Sequence, residues 1–92
     1  MIKEPIVYTI IVTYNGAKWI KKCIESLLLS DLSTKIVLID NNSSDDTVAF
    51  VSTNFPSVVV LENKLNLGFG KANNLGISFA LKNNADYVFL LN

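Results

Sequence analysis

The sequence predicts an α/β fold: an open parallel sheet of about four strands in the order 3-2-1-4, with helices on both faces. Four short apolar runs rich in β-branched residues alternate with three stretches whose apolar residues recur at helical spacing. The runs are apolar throughout, which is typical of strands buried on both faces. Because parallel neighbours are joined by right-handed connections, 3-2-1-4 is a common layout for this element order.

The first strand is predicted over residues 6–12, a β-branched run that stops at the Thr-Tyr-Asn-Gly segment 13–16. Asn15 is predicted to cap the helix that follows. The buried stripe of that helix is predicted to contain Ala17, Ile20, Cys23, Ile24, Leu27 and Leu28. Trp19 lies off this stripe near the helix start, and we interpret it as a cover over the end of the sheet.

The second strand is predicted over residues 35–39 and delivers Asp40 to its carboxyl end. Two serines could cap the second helix, Ser43 and Ser44. Asp45 and Asp46 follow at the helix start, where carboxylates interact favourably with the helix dipole, so capping explains them better than metal binding does. The buried side of this helix is predicted to contain Val48, Val51 and Phe55, and Pro56 ends it.

The third strand is predicted over residues 58–61, and a loop with two glycines leads from it into the third helix. The apolar face of that helix is predicted to contain Ala72, Leu75, Gly76, Phe79 and Ala80. The pair Asn83-Asn84 is a plausible helix end, and residues 87–91 form the fourth strand. Because the chain ends directly after an apolar strand, we expect residues 1–92 to be one domain: the N-terminal half of a larger, truncated one.

Composition excludes several classes of function. Eight basic residues balance eight acidic ones in a chain of 92 residues, so no basic surface for nucleic acid is expected. One cysteine and no histidine exclude an internal disulfide, a Cys/His zinc site and catalytic triads of the Ser-His or Cys-His type. The sequence shows neither a signal peptide nor an apolar segment of membrane-spanning length, so we predict a cytoplasmic protein.

In the order 3-2-1-4, the ligand crevice is expected at the carboxyl ends of the strands, between the first and the fourth. Asp40 is the acidic residue expected to face it. Its carboxylate could accept a hydrogen bond from a ribose hydroxyl or a base edge, or it could form only a local turn. The segment Gly-Phe-Gly-Lys-Ala-Asn at 68–73 departs from the dinucleotide fingerprint, because its last position is Asn73 and it follows the third strand.

Four segments together resemble the N-terminal half of family 2 glycosyltransferases of the GT-A fold. They are Ile-Val-Thr-Tyr-Asn at 11–15, Val-Leu-Ile-Asp-Asn-Asn-Ser-Ser-Asp at 37–45, Asn-Leu-Gly-Phe-Gly-Lys-Ala-Asn-Asn-Leu-Gly at 66–76, and Asp-Tyr-Val-Phe-Leu-Leu-Asn at 86–92. The third and fourth segments are most similar to the rhamnosyltransferase-like branch. The resemblance covers nearly the whole chain, and four motifs in the right order are more specific than any one of them.

This resemblance implies an inverting enzyme that transfers sugar from a nucleoside-diphosphate donor to a saccharide or lipid-linked acceptor, as in polysaccharide biosynthesis. It places Thr13, Tyr14 and Asn15 against the nucleotide, Asp40 or Asn41 at the base, and Asn66, Gly68 and Asn73 on the ribose and sugar side. Asn41 replaces the second residue of the family's common Asp-Asp pair, which leaves UDP-linked and dTDP-linked donors both open.

The resemblance also implies a divalent metal, Mg²⁺ or Mn²⁺, held by an acidic motif just after Asn92, with the catalytic base later still. The 92-residue fragment is therefore expected to bind no metal and to be inactive alone, and the longer enzyme could be peripheral to a membrane. The alternative function is a non-catalytic α/β binding or assembly module, in which the exposed edge of the fourth strand pairs with a partner or with its own copy to form an oligomer.

Overall fold

The computed structural model describes residues 3–91 of the chain, and it contains the seven predicted elements in the predicted order. The strands are β1 (Val7–Thr13), β2 (Lys35–Asp40), β3 (Val59–Glu62) and β4 (Tyr87–Leu91), and the helices are α1 (Ile20–Leu29), α2 (Thr47–Asn54) and α3 (Gly68–Lys82). The four strands form one parallel sheet in the order β3-β2-β1-β4, so the predicted order is confirmed.

Three of the strands extend one residue beyond the apolar runs that predicted them. Thr13 is in register with Asp40, and Asp40 is in register with Glu62, so the parallel ladder includes the polar residue that follows each apolar run. Backbone pairing sets a strand end, whereas hydropathy marks only where the side chains become polar. α3 likewise begins at Gly68, before the apolar face used to predict it.

The sheet is covered on both faces, as predicted. One core, formed by alternate residues of β1 and β2, packs against α3 and contains Tyr8, Ile10, Val12, Val37, Ile39, Ala72 and Ala80. The other core packs against α1 and α2 and contains Ile11, Ile20, Ile24, Ile36, Leu38, Val51 and Val58. Because successive strand residues point to opposite faces, neighbouring residues at the strand ends also face opposite helix layers.

Several predicted helix-face residues are not buried. Leu28 is 54% exposed in the last turn of α1, and Ala17 precedes that helix rather than lying on its stripe. Leu75 is 44% exposed because α3 contacts the sheet through a narrow row of small residues at i, i+4 and i+8, namely Ala72, Gly76 and Ala80. In α2 only Val51 of the predicted face is fully buried.

Both predicted helix caps are wrong. α1 begins at Ile20 after a turn over residues 17–19, so Asn15 lies too early in the chain to cap it. α2 begins at Thr47, and neither predicted serine bonds its first turn. Asp45 instead accepts hydrogen bonds from the backbone N–H of Thr47, at 3.0 Å, and from the Thr47 hydroxyl. Asn83, in contrast, follows the end of α3 as predicted.

Candidate functional site

The carboxyl ends of β1 and β2 bring three buried polar residues together. Thr13, Asp40 and Asn41 are each at most 2% exposed. Alternation along β1 and β2 directs Thr13 and Asp40 toward the layer of α1 and α2, and Asn41 toward the layer of α3. The two strand ends therefore organise two different loops, one on each face of the sheet.

Asp40 forms a local turn on the α1 and α2 face. Its carboxylate accepts hydrogen bonds from the backbone N–H of Ser43, at 2.9 Å, and from the Ser43 hydroxyl, at 2.5 Å. The same hydroxyl oxygen accepts a hydrogen bond from the backbone N–H of Asn15, at 2.8 Å. Asp40 therefore forms the local turn that was one of the two alternatives predicted for it. Through Ser43 it also fixes the β1–α1 loop, residues 14–19.

Asn15 completes the connection between the β1–α1 loop and the β2–α2 loop, residues 41–46. Its side-chain oxygen accepts hydrogen bonds from the backbone N–H groups of Ser44, at 2.7 Å, and Asp45, at 3.3 Å. Asp45 in turn accepts a hydrogen bond from the backbone N–H of Ala17, at 3.2 Å. The hydrogen bond from the Thr47 hydroxyl, followed by those from backbone N–H groups, lowers the pKa of the exposed Asp45 carboxyl.

Asn41 fixes the third loop, residues 63–67, which connects β3 to α3. Its amide nitrogen donates a hydrogen bond to the backbone carbonyl of Gly68, at 3.2 Å. Its amide oxygen accepts hydrogen bonds from the side-chain amide of Asn63, at 2.9 Å, and from the backbone N–H of Leu67, at 3.4 Å. Asn66 then accepts a hydrogen bond from the N–H of Gly68, whose φ of 80° favours glycine.

A cleft of about 360 Å³ separates the β1–α1 loop from the 63–67 loop. It is lined by Val12, Tyr14, Trp19, Asn41, Asn66, Gly68 and Phe69. Four of the eight predicted site residues line it: Tyr14, Asn41, Asn66 and Gly68. The sequence interpretation expected a crevice between the first and fourth strands, whereas this cleft lies at the same edge over the ends of β1 and β2.

The other four predicted site residues lie around this cleft rather than in its lining. Asp40 and Asn15 belong to the hydrogen-bonded loops described above. Thr13 Oγ1 and Asn73 Oδ1 are buried and have no hydrogen-bond partner within residues 3–91. Six of the eight predicted positions therefore lie at the carboxyl ends of the strands or in the loops that follow them, Gly68 begins α3, and Asn73 lies in the first turns of that helix.

Sequence reasoning missed two aromatic residues of the cleft, Trp19 and Phe69. Trp19 is 41% exposed and stands against Gly16, where an added Cβ would lie 2.9 Å from the indole ring. It lines the cleft, which itself lies over the carboxyl ends of β1 and β2. The signal that could have found it was its place off the apolar stripe, next to a polar loop at a strand end.

Two larger cavities, of about 550 and 460 Å³, lie at the opposite edge of the sheet. They are lined by residues at the amino ends of the strands, such as Ile6 and Tyr87 in one and Tyr8 and Lys35 in the other. We place the functional site in the smaller cleft because ligands of open parallel sheets bind outside the carboxyl ends of the strands. Its volume also falls within the ordinary range for small-molecule sites.

Within residues 3–91, no group of three or more His, Cys, Asp and Glu side chains is arranged to hold a metal ion. The donors present at the cleft are amides, a backbone carbonyl and aromatic rings, which suit an organic ligand better than a divalent cation. Across the same residues, no helix combines the length and the apolar character needed to cross a membrane.

Comparison with solved structures shows a shared fold. Residues 1–349 of S. aureus TarS, solved in complex with UDP, match with a TM-score of 0.81 and 24% identity, covering 94% of this chain and 26% of that one. Mannosyltransferase PcManGT from Pyrobaculum calidifontis, solved in complex with GDP-Man and Mn²⁺, matches with a TM-score of 0.74 and 24% identity, covering 85% and 25%. The order and arrangement of the four strands and three helices match part of the GT-A fold.

Sequence comparison identifies the family. The SPbeta prophage-derived glycosyltransferase SunS of Bacillus subtilis (strain 168) is 37% identical over 70 residues, and so is the glycosyltransferase SunS of Bacillus phage SPbeta. The aligned region is 76% of this chain but only 16% of either relative. Residues 8–92 match the family described as Glycosyl transferase family 2. The chain therefore belongs to glycosyl transferase family 2.

Proposed function

We propose that this chain forms the donor site of a glycosyltransferase and binds a nucleoside-diphosphate sugar for transfer to a saccharide or lipid-linked acceptor. The observation that carries the proposal is the cleft at the carboxyl ends of β1 and β2, with its lining of aromatic rings and amides. Such a lining suits a flat base and the hydroxyl groups of a ribose and a sugar. TarS bound to UDP and PcManGT bound to GDP-Man support it, because both share this fold.

Individual roles follow from where each residue lies. Tyr14 and Trp19 offer ring faces on the wall formed by the β1–α1 loop, where a base or a sugar ring would stack. Asn66 and Gly68 form the opposite wall, on the proposed ribose and sugar side. At Gly68 an added Cβ would meet nothing within 4 Å, so the backbone there is open to close approach by a ligand.

The inner residues would support these contacts. Asn15 holds the wall that faces the nucleotide, and Thr13 lies buried at the end of β1 beneath that loop. Asn73 lies in the first turns of α3, on the proposed sugar side. Asp40 and Asn41 remain the proposed neighbours of the base: Asn41 lines the cleft, and Asp40 holds the β1–α1 wall through Ser43. Uridine and thymidine are the proposed bases, and segments 66–76 and 86–92 support assignment to the rhamnosyltransferase-like branch.

The remaining chemistry is proposed for a longer, inverting enzyme, because the chain spans only 16% of the relatives it matches. A divalent ion, Mg²⁺ or Mn²⁺, would neutralise the developing charge on the diphosphate leaving group. The presence of Mn²⁺ in the PcManGT complex supports this requirement. Residues 3–91 contain no cluster suited to the ion, so we assign them donor binding only and expect the 92-residue chain to be inactive alone.

A second candidate function rests on the β4 edge. β4 pairs only with β1, and Tyr87, Phe89 and Leu90 along it are exposed. An apolar strand with an unpaired edge can add a further strand from another chain or another copy. A non-catalytic assembly module would use this edge and would leave the cleft without a ligand.

Calorimetry tests the donor-site proposal. We expect the longest natural form of the protein, with Mn²⁺ present, to bind UDP, dTDP or GDP at least about tenfold more tightly than NAD, a difference of about 1.4 kcal/mol. Replacing Tyr14 by alanine should weaken that binding, because one ring face of the cleft is lost. Replacing Lys35 by alanine, at the opposite edge, is the matched control and should leave it unchanged. Equal binding of all four nucleotides would contradict the proposal.

A further inference from the structure

We propose that Asn41 is a positioning residue: its amide fixes the 63–67 loop as one wall of the cleft, and a carboxylate cannot replace it. The inference rests on the proposed function of that cleft. It concerns the position at which this chain departs from the Asp-Asp pair common in the family.

The side chain of Asn41 is already committed within the protein. It is 2% exposed, and its backbone N–H donates to the carbonyl of Thr13, at 2.8 Å, which anchors the residue to the central strand. Its amide nitrogen donates to Gly68, and its amide oxygen accepts from Asn63 and Leu67. The amide nitrogen and the amide oxygen are therefore both occupied, the nitrogen by Gly68 at the start of α3 and the oxygen by the 63–67 loop.

A carboxylate at this position could still accept hydrogen bonds from the 63–67 loop, but it could not donate one to the carbonyl of Gly68. Aspartate at pH 7 carries no hydrogen, so its second oxygen would face the Gly68 carbonyl oxygen at the distance of the present hydrogen bond, 3.2 Å. That arrangement leaves a carbonyl without its donor and adds repulsion between two oxygens. Asn63 and Leu67 could still donate to the carboxylate. Repulsion at Gly68 would nevertheless move the end of the loop away from β2 and lengthen the bond from Leu67, which is already 3.4 Å.

The affected loop is also the wall that carries Asn66 and leads into Gly68, both of which line the cleft. Displacing that wall would weaken every contact made from it, whichever base the nucleotide carries. A positioning role therefore predicts the same loss of affinity for all nucleotides. A base-reading role for Asn41 predicts instead that changing the amide to a carboxylate alters the preference among bases.

Nucleotide binding by the longest natural form of the protein separates these two roles. With Asn41→Asp we expect affinities for UDP, dTDP and GDP to fall about tenfold, by the same factor for each, which is the scale of one lost buried hydrogen-bond partner. Asn63→Ala should give a similar uniform loss, and the double variant should lose less than the product of the two single losses. Asn74→Asp, the same chemical change at an exposed site on α3, is the matched control and should bind as the unaltered protein does. A changed ratio among the three nucleotides would overturn the proposal.

Hydrogen exchange measured without nucleotide tests the positioning role of Asn41 independently of the proposed function. In Asn41→Asp and in the milder Asn63→Ala we expect the backbone amides of Leu67 and Gly68 to exchange about tenfold faster, while amides of β1 keep their rates. Unchanged exchange at Leu67 and Gly68 in both variants would overturn the positioning role. If the unaltered protein binds no nucleotide but exchange accelerates as expected, the donor-site proposal fails and the positioning of the loop by Asn41 stands.

Discussion

Replacing Gly76 by alanine is expected to lower the free energy of unfolding by about 2 kcal/mol, the usual scale for overpacking a close-packed core. Gly76 lies on the face of α3 that contacts the sheet, and a Cβ there would stand 2.4 Å from Cγ2 of Ile10. Ile10 has no exposed surface and lies in the central strand β1, so it has little room to retreat. Urea unfolding followed by circular dichroism measures the change.

Gly70→Ala is the matched control for this prediction. Gly70 lies in the same helix, and an added Cβ meets nothing within 4 Å. Alanine is a better helix former than glycine, so this variant is expected to be neutral or to gain up to about 1 kcal/mol. Equal destabilisation by the two substitutions would contradict the explanation that Gly76 is needed for the close contact between α3 and β1.

Replacing Asp40 by alanine is expected to cost about 2 to 3 kcal/mol of stability, because it leaves a buried hydrogen-bonding group without its partner. The Asp40 carboxylate holds both the N–H and the hydroxyl of Ser43, and Ser43 holds the N–H of Asn15. Loss of Asp40 therefore also frees the β1–α1 loop, which carries Tyr14. Nucleotide affinity should fall together with stability, and thermal unfolding and calorimetry on the same variant measure the two.

Glu62→Ala is the control for the Asp40 variant. Glu62 is the register partner of Asp40 on β3, carries the same charge and is exposed. Removing a surface carboxylate of this kind is expected to change the free energy of unfolding by no more than about 0.5 kcal/mol. If Asp40→Ala were as mild as Glu62→Ala, the hydrogen-bonded turn at the end of β2 would not be what fixes the β1–α1 loop.

The fold was predictable because hydropathy and strand order depend on few physical rules. The apolar runs at 35–39 and 87–91 indicated strands, although the second, at the sheet edge, is largely exposed. Right-handed crossovers left few layouts for four strands. Helix faces were less predictable. Leu75 fits a helical period as well as Gly76 does, but at Gly76 α3 approaches β1 so closely that a side chain has no room, whereas Phe79 packs against Tyr8.

The edge that holds the candidate site was predictable, whereas the partners of its side chains were not. Polar residues after apolar runs indicated the edge at which Asp40 and Asn41 lie, but not that their side chains point to opposite faces of the sheet. Their contacts depend on loops that meet only in the folded chain: Asn15 bonds residues 44 and 45 instead of its own helix. Trp19 was missed because its place in the cleft depends on the folding of the β1–α1 loop, in which its ring lies close against Gly16.

The central claim, that the cleft at the carboxyl ends of β1 and β2 binds nucleoside diphosphates, is tested most directly by the indole N–H of Trp19. Trp19 is the one tryptophan of the chain, so its nitrogen-15 NMR signal is assigned without ambiguity. Titration with UDP at millimolar concentration is expected to shift that signal and the amides of Tyr14 and Gly68, and to leave Lys35 at the opposite edge unmoved. Shifts confined to Lys35 and its neighbours, or no shift of the Trp19 indole at saturation, would contradict the account.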